Sequence, residues 1–143
     1  MERLFYWKRL SQAFAPILAA NGGGGLVNVI SVAGLVNFPL FITYSASKAA
    51  LHSLTQALRL ELAGQGVFVA GVYPGPVDTD MAADVPFEKT SPAVVADNIL
   101  QGLEAGQEEI FPDGMAGEMG AGYEQSPKGL EQKVATMVAS MAA

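Results

Sequence analysis

The chain has 143 residues, 50% hydrophobic and 15% charged, which is enough apolar material for one packed domain and excludes a disordered segment. A net charge of −6 with only eight Lys and Arg speaks against nucleic-acid binding. No cysteine and a single histidine exclude disulfides and thiolate metal sites, leaving no metal centre to expect.

Residues 2–20 carry apolar side chains at Leu4, Phe5, Leu10, Phe14, Ile17 and Leu18, a helical spacing. Lys8 and Arg9 before LSQAFAPILAANG faintly resemble a secretory leader, but Ser11, Gln12 and Pro16 interrupt its apolar stretch, and a helix is expected instead. Asn21 and Gly22–Gly25 stop that helix and open a flexible loop. LVNVISV (26–32) is short and β-branched, as expected of a parallel strand buried on both faces. No apolar run reaches the ~18 residues of a membrane span. Residues 26–42 come nearest and are broken by Asn28, Ser31, Gly34, Asn37 and Pro39. No membrane partner is expected, and the expected location is the cytoplasm.

A loop over 34–39 leads to a second helix from Tyr44 to Gly64, with Leu51, Leu54, Leu58 and Leu62 on its apolar face. GVFVAGVYPG (66–75) reads as a second buried strand closed by Pro-Gly-Pro, followed by a loop over 76–89. Ser91 and Pro92 match an N-cap and first helical residue, opening a helix to Ala105. EEIFPD (108–113) gives a third strand. Residues 114–126, rich in Gly and Met, are expected to be irregular and mobile, and Pro127 to Met141 to form a last helix. This alternation predicts an α/β fold: a small, roughly three-stranded parallel sheet flanked by helices. Its first strand has no evident neighbour on one side, so the chain is expected to be completed by another copy or another polypeptide.

The chemistry concentrates in Tyr44-Ser45-Ala46-Ser47-Lys48. Tyr44 and Lys48 are four apart, one helical turn from each other on one face. An ammonium beside a phenol favours the phenolate and moves a donor of ordinary pKa ~10 towards working pH. Ser31, at the end of the first strand, completes a Ser–Tyr–Lys acid–base set. The duller reading is a surface helix pair with the lysine stem lying over the ring. Ser45 and Lys48 also satisfy S-x-x-K, in which a lysine one turn away activates a serine for cofactor-free ester hydrolysis. His52, one turn beyond Lys48, either shares that face or packs inside. Phe38, Phe41 and Tyr73 line a substrate pocket or belong to the core. Met115, Met119, Met137 and Met141 cover apolar surface or a partner. Asp78 and Asp80 read as a solvated loop rather than a metal site.

Three segments in order resemble the short-chain dehydrogenase/reductase family. VNVISVAG (27–34) is similar to its serine-bearing strand end, YSASKAAL (44–51) to its catalytic helix, and VYPGPVDTDM (72–81) to its Pro-Gly loop. The likeness covers roughly residues 2–113. It implies a Rossmann-like fold and a carbonyl or alcohol oxidoreductase, with Ser31, Tyr44 and Lys48 catalytic. It also implies NAD or NADP held by Tyr44, Lys48, Pro74, Gly75, Val77 and Thr79. The family's TGxxxGxG turn does not occur in these 143 residues, and Gly22–Gly25 lie between a helix and a strand, the wrong order for it. The resemblance therefore implies a partial domain over 1–113, with 114–143 as a Gly/Met-rich segment and C-terminal helix. A fourth family position, often Asn, falls near Arg3. The resemblance further implies a homo-oligomer, dimer or tetramer, through helices 2–20 and 44–64. It leaves open a non-catalytic dimerising module beside the enzyme acting on a small molecule.

Overall fold

The computed structural model describes residues 2–141. Helix α1 (Glu2–Ala20) leads into strand β1 (Gly24–Val29), and helix α2 (Ile42–Glu61) crosses to strand β2 (Val67–Val72). Helix α3 (Pro92–Glu104), the two-residue strand β3 (Glu109–Ile110) and helices α4 (Gly114–Gln125) and α5 (Pro127–Met141) follow. The sheet is parallel in the order β1-β2-β3, with Leu26 beside Val69 and Val72 beside Ile110. An α/β layer with a small parallel sheet is thus what the alternating pattern foretold. Among the described residues, no helix is long and apolar enough to cross a membrane.

The two-residue period of β2 sorts its side chains between layers. Val69 packs with Ala15 of α1, Leu58 of α2 and Leu62 just past the end of α2. Ala70 and Val72 point the other way, with Ile110 against Ile99 and Leu103 of α3. Strand β1 follows the same alternation but is covered on one face only. Asn28 turns towards α2, where its amide donates to Thr55 Oγ1 at 3.0 Å, and that hydroxyl donates to Leu51 O at 2.8 Å. Val27 and Val29, level with Ala70 and Val72, stay exposed because α3 covers β2 and β3. The expectation of a first strand buried on both faces is corrected: its outer edge and one face lie open.

Three further expectations change. Gly24 and Gly25 are the first residues of β1, paired with Val67 and Phe68, so only the front of the glycine run is a turn. The foreseen apolar face of α1 is only partly covered, through the half-buried Leu10 and Leu18. Phe5, Phe14 and Ile17 are exposed, while the small Ser11 and Ala15 are buried; the side chain of Leu4 lies outside the described residues. The Gly/Met-rich stretch is helix α4, not an irregular segment. Asp113 caps it, its carboxylate accepting from Ala116 N at 2.9 Å. Ala116 and Met119 of α4 and Leu130 and Val134 of α5 share one core with Ile30, Val32 and Tyr73. Ser91 caps α3 as foreseen, accepting from Val94 N.

Candidate active site

The carboxyl ends of β1 and β2 open into a cleft of about 360 Å³. Ser31, Tyr44, Lys48, Pro74, Gly75, Val77 and Thr79 all line it. Residues separated by up to 48 positions in sequence therefore share one cavity, as expected where ligands bind in open α/β sheets.

Ser31 lies two residues past β1 and opens a tight turn over Val32–Gly34. Its φ of 146° is the single non-glycine value in the left-handed half among the described residues. Such a conformation costs about 1–3 kcal/mol and persists only where surroundings enforce it. Here Gly34 N donates to Ser31 O at 2.9 Å, and Ala33 N donates to Ser31 Oγ at 3.1 Å. The hydroxyl proton reaches Pro74 O at 3.4 Å, a long bond that a better acceptor in the cleft would displace.

Gly34 also sets how near α2 approaches. A β-carbon there would stand 2.8 Å from Ile30 Cγ2 and 2.9 Å from Lys48 O. Only glycine lets the helix come close enough for Lys48 Nζ to donate to Val29 O at 3.0 Å. The same ammonium lies 5.6 Å from the Tyr44 ring centroid, within cation–π range. Partial burial holds Lys48 below the ordinary lysine value. Tyr44 is exposed at 38% and faces the cleft mouth.

The Pro-Gly loop is fixed from behind by a residue the sequence reading did not single out. Gly75 N donates to Asp113 Oδ2 at 2.8 Å, while the other carboxylate oxygen caps α4. A β-carbon on Gly75 would sit 2.6 Å from Asp113 Oδ1. Further along, Asp78 N donates to Thr90 O and Thr90 N to Pro76 O, pinning the loop to the start of α3. Thr79 is exposed, its hydroxyl turned back to Val77 O at 3.3 Å.

Several candidates separate from the cleft. Ser45 is 1% exposed, and its hydroxyl accepts from Phe38 N at 3.3 Å, which leaves the S-x-x-K serine unavailable to a substrate. His52 is buried with Nδ1 2.7 Å from the Tyr73 hydroxyl, and its ring meets Tyr73 and Tyr123 edge-on. Desolvation holds His52 below its usual value and raises Tyr73 well above its own. Tyr73 is core, Phe41 lines the cleft, and Phe38 does both, buried in the core with one side on the cleft. The methionines divide too: Met119 is core, Met115 lines the cleft, Met137 packs on the core and Met141 is exposed. The side chain of Arg3 lies outside the described residues. The remaining lining, including Met81, Val85 and Phe87, was not foreseen, because nothing in a mixed loop sequence marks which way its apolar residues turn.

A parallel α/β sheet whose carboxyl end gathers serine, tyrosine, lysine and a Pro-Gly loop defines a Rossmann-like α/β protein. The family model for short chain dehydrogenases matches residues 7–89, and the chain belongs to that family. An uncharacterised oxidoreductase of Staphylococcus saprophyticus is 36% identical over 95 residues, covering 64% of this chain and 41% of that protein. The galactitol 2-dehydrogenase (L-tagatose-forming) of Cereibacter sphaeroides is 48% identical over 73 residues, 50% of this chain and 29% of that enzyme. Among solved structures, a short chain dehydrogenase from Burkholderia cenocepacia J2315 in complex with NADP superposes with a TM-score of 0.80 at 37% identity. That match covers 87% of this chain and 52% of the Burkholderia chain. This chain thus spans less than half of those two curated relatives and about half of the solved one.

Proposed function

We propose that this chain carries the proton-handling part of an NAD(P)-dependent carbonyl or alcohol oxidoreductase, with Ser31, Tyr44 and Lys48 as its catalytic residues. The observation that carries the proposal is the single cleft into which all three side chains and the Pro-Gly loop open. In the reducing direction the Tyr44 hydroxyl gives its proton to the carbonyl oxygen of the substrate as the C–O double bond becomes a single bond. Ser31, with its proton loosely held by Pro74 O, turns that proton to the same oxygen and stabilises its developing charge. Lys48 keeps positive charge beside the phenol while anchored to Val29 O.

The residues we assign to the nicotinamide end of NAD(P), Tyr44, Lys48, Pro74, Gly75, Val77 and Thr79, all line this cleft, which supports that reading. When bound, NAD(P)H supplies the hydride, which no side chain can. The grip on its pyrophosphate has no counterpart among the described residues, since Gly24 and Gly25 belong to β1 and the preceding glycines to the turn after α1. We therefore infer that a second polypeptide or a further part of the same protein completes the cofactor site. Self-association through α1 and α2 is supported by exposed Phe5, Tyr6, Trp7, Phe14 and Ile17 on α1 and Leu60 on α2.

The test is NADPH oxidation against a panel of ketones and aldehydes, with cofactor binding followed by fluorescence. Turnover that falls with Tyr44→Phe and Lys48→Ala supports the reading. Neither binding nor turnover by the concentrated oligomer sinks it.

A further inference from the structure

We infer that the cleft takes an uncharged, apolar carbonyl compound, an aryl-alkyl ketone or its secondary alcohol, rather than a polyol. The inference rests on the oxidoreductase reading above and concerns the apolar wall of the same cleft. That wall is built by Phe38, Phe41, Met81, Val85, Phe87 and Met115, brought together from the turn before α2, the loop after β2 and the first turn of α4. Phe38 and Phe87 meet edge-to-face with centroids 6.5 Å apart, an angled pair of rings that offers aromatic edges and a face to an apolar ring. Met115 adds a pliable thioether that adapts to irregular apolar groups. Met81 of this lining is 83% exposed, and Leu40 and Ile42, on either side of Phe41 in sequence, are 60% and 62% exposed.

The polar inventory is short. Ser31, Tyr44, Lys48 and Thr79 are the polar side chains lining the cleft, and no carboxylate or amide side chain joins them. Ser31 and Tyr44 are assigned to the reacting oxygen, Lys48 donates to Val29 O, and the Thr79 hydroxyl is turned to Val77 O. A chain of five or six hydroxyls would give up water for aromatic rings and thioethers, with no partner in exchange. An apolar ketone carries one oxygen, which the serine and tyrosine satisfy, and buries the rest. The cavity of about 360 Å³ lies within the size range of small-molecule sites.

The experiment is a backbone-amide NMR titration of the labelled full chain in the presence of NADPH, with propiophenone in one arm and galactitol in the other. Saturable shifts from propiophenone at residues 38–42 and 81–87, with none from galactitol, are expected. Met81→Asp, which alters an exposed rim residue without disturbing the core, is expected to weaken the ketone about tenfold, and Phe87→Asp at least as much. Val94→Asp, exposed on α3, leaves it unchanged. Galactitol binding as tightly as the ketone, or a ketone without saturable shifts in the cleft, overturns the inference. Turnover separates the two proposals. Ketone binding without reduction removes the catalytic reading and keeps the substrate class; reduction confined to sugars and polyol oxidation does the reverse.

Discussion

The carboxyl end of the sheet and its β1 side are built to different standards. At the cleft, every loop is tied: Ser31 by Ala33 and Gly34, Lys48 by Val29, Gly75 by Asp113, Asp78 by Thr90. On the β1 side, a six-residue strand offers a bare edge, Val27 and Val29 face solvent, and α1 displays Phe5, Phe14 and Ile17. The contrast teaches that positioning the proposed proton-transfer residues and enclosing a nucleotide are separable demands on a fold. The first is met by contacts among residues 29–116, whereas the second calls on surface that these residues leave uncovered.

The largest expected effect tests whether the tied end is a working end. Tyr44→Phe should lower carbonyl reduction about 10²–10⁴-fold with an unchanged melting temperature, since the phenol has one exposed hydroxyl to lose. Equal turnover by the variant would remove Tyr44 from the chemistry. Next, Gly34→Ala forces a methyl into Ile30 and the α2 backbone and should cost about 1–3 kcal/mol in denaturant unfolding. Asp113→Ala removes an N-cap and a loop anchor together and should cost about 1–3 kcal/mol, while weakening NADPH binding.

A smaller effect belongs to the core behind the cleft. Burial holds His52 below 6.5, so as pH falls the unfolded chain takes up its proton first. Stability associated with the neutral ring is full above pH 6.5 and declines below it until the folded state also protonates. His52→Gln should flatten that decline in melting curves taken from pH 7 down to 5. The smallest effect on stability lies on the open side. Phe14→Lys should change the unfolding free energy of the dissociated chain by no more than about 0.5 kcal/mol, yet shift sedimentation towards monomer. A wild-type chain already monomeric at micromolar concentration would leave α1's aromatics without the proposed partner.

Much of the fold was legible because its signals are local. Ser91-Pro92 announces α3, the leucines of α2 mark its buried side, and β-branched runs mark β1 and β2. The candidate site was legible for the same reason, since Tyr44 and Lys48 need only one helical turn to meet. What stayed hidden depends on distant neighbours. Helix α4 carries glycines that argue against a helix, but Gly120 is required where a β-carbon would strike the Phe111 ring at 2.6 Å. The α1 pattern is amphipathic, yet its large residues turn outward because Ser11 and Ala15 permit closer packing. Asp113 went unnoticed at the end of EEIFPD, because its bond to Gly75 spans 38 positions, which no local pattern reveals.

That two-ended carboxylate bears on where this protein can be divided. The family match ends at residue 89, and composition changes near 113. Neither point is a mechanical seam. Asp113 holds the loop around Gly75 with one oxygen and the first turn of α4 with the other, while Ala116 and Leu130 complete the packing around Ile30 and Tyr73. Trimming the chain at either position would unseat the Pro-Gly loop from a distance. An alignment boundary marks where ancestry stays readable; the unit that must be inherited, expressed or transplanted together runs through to α5.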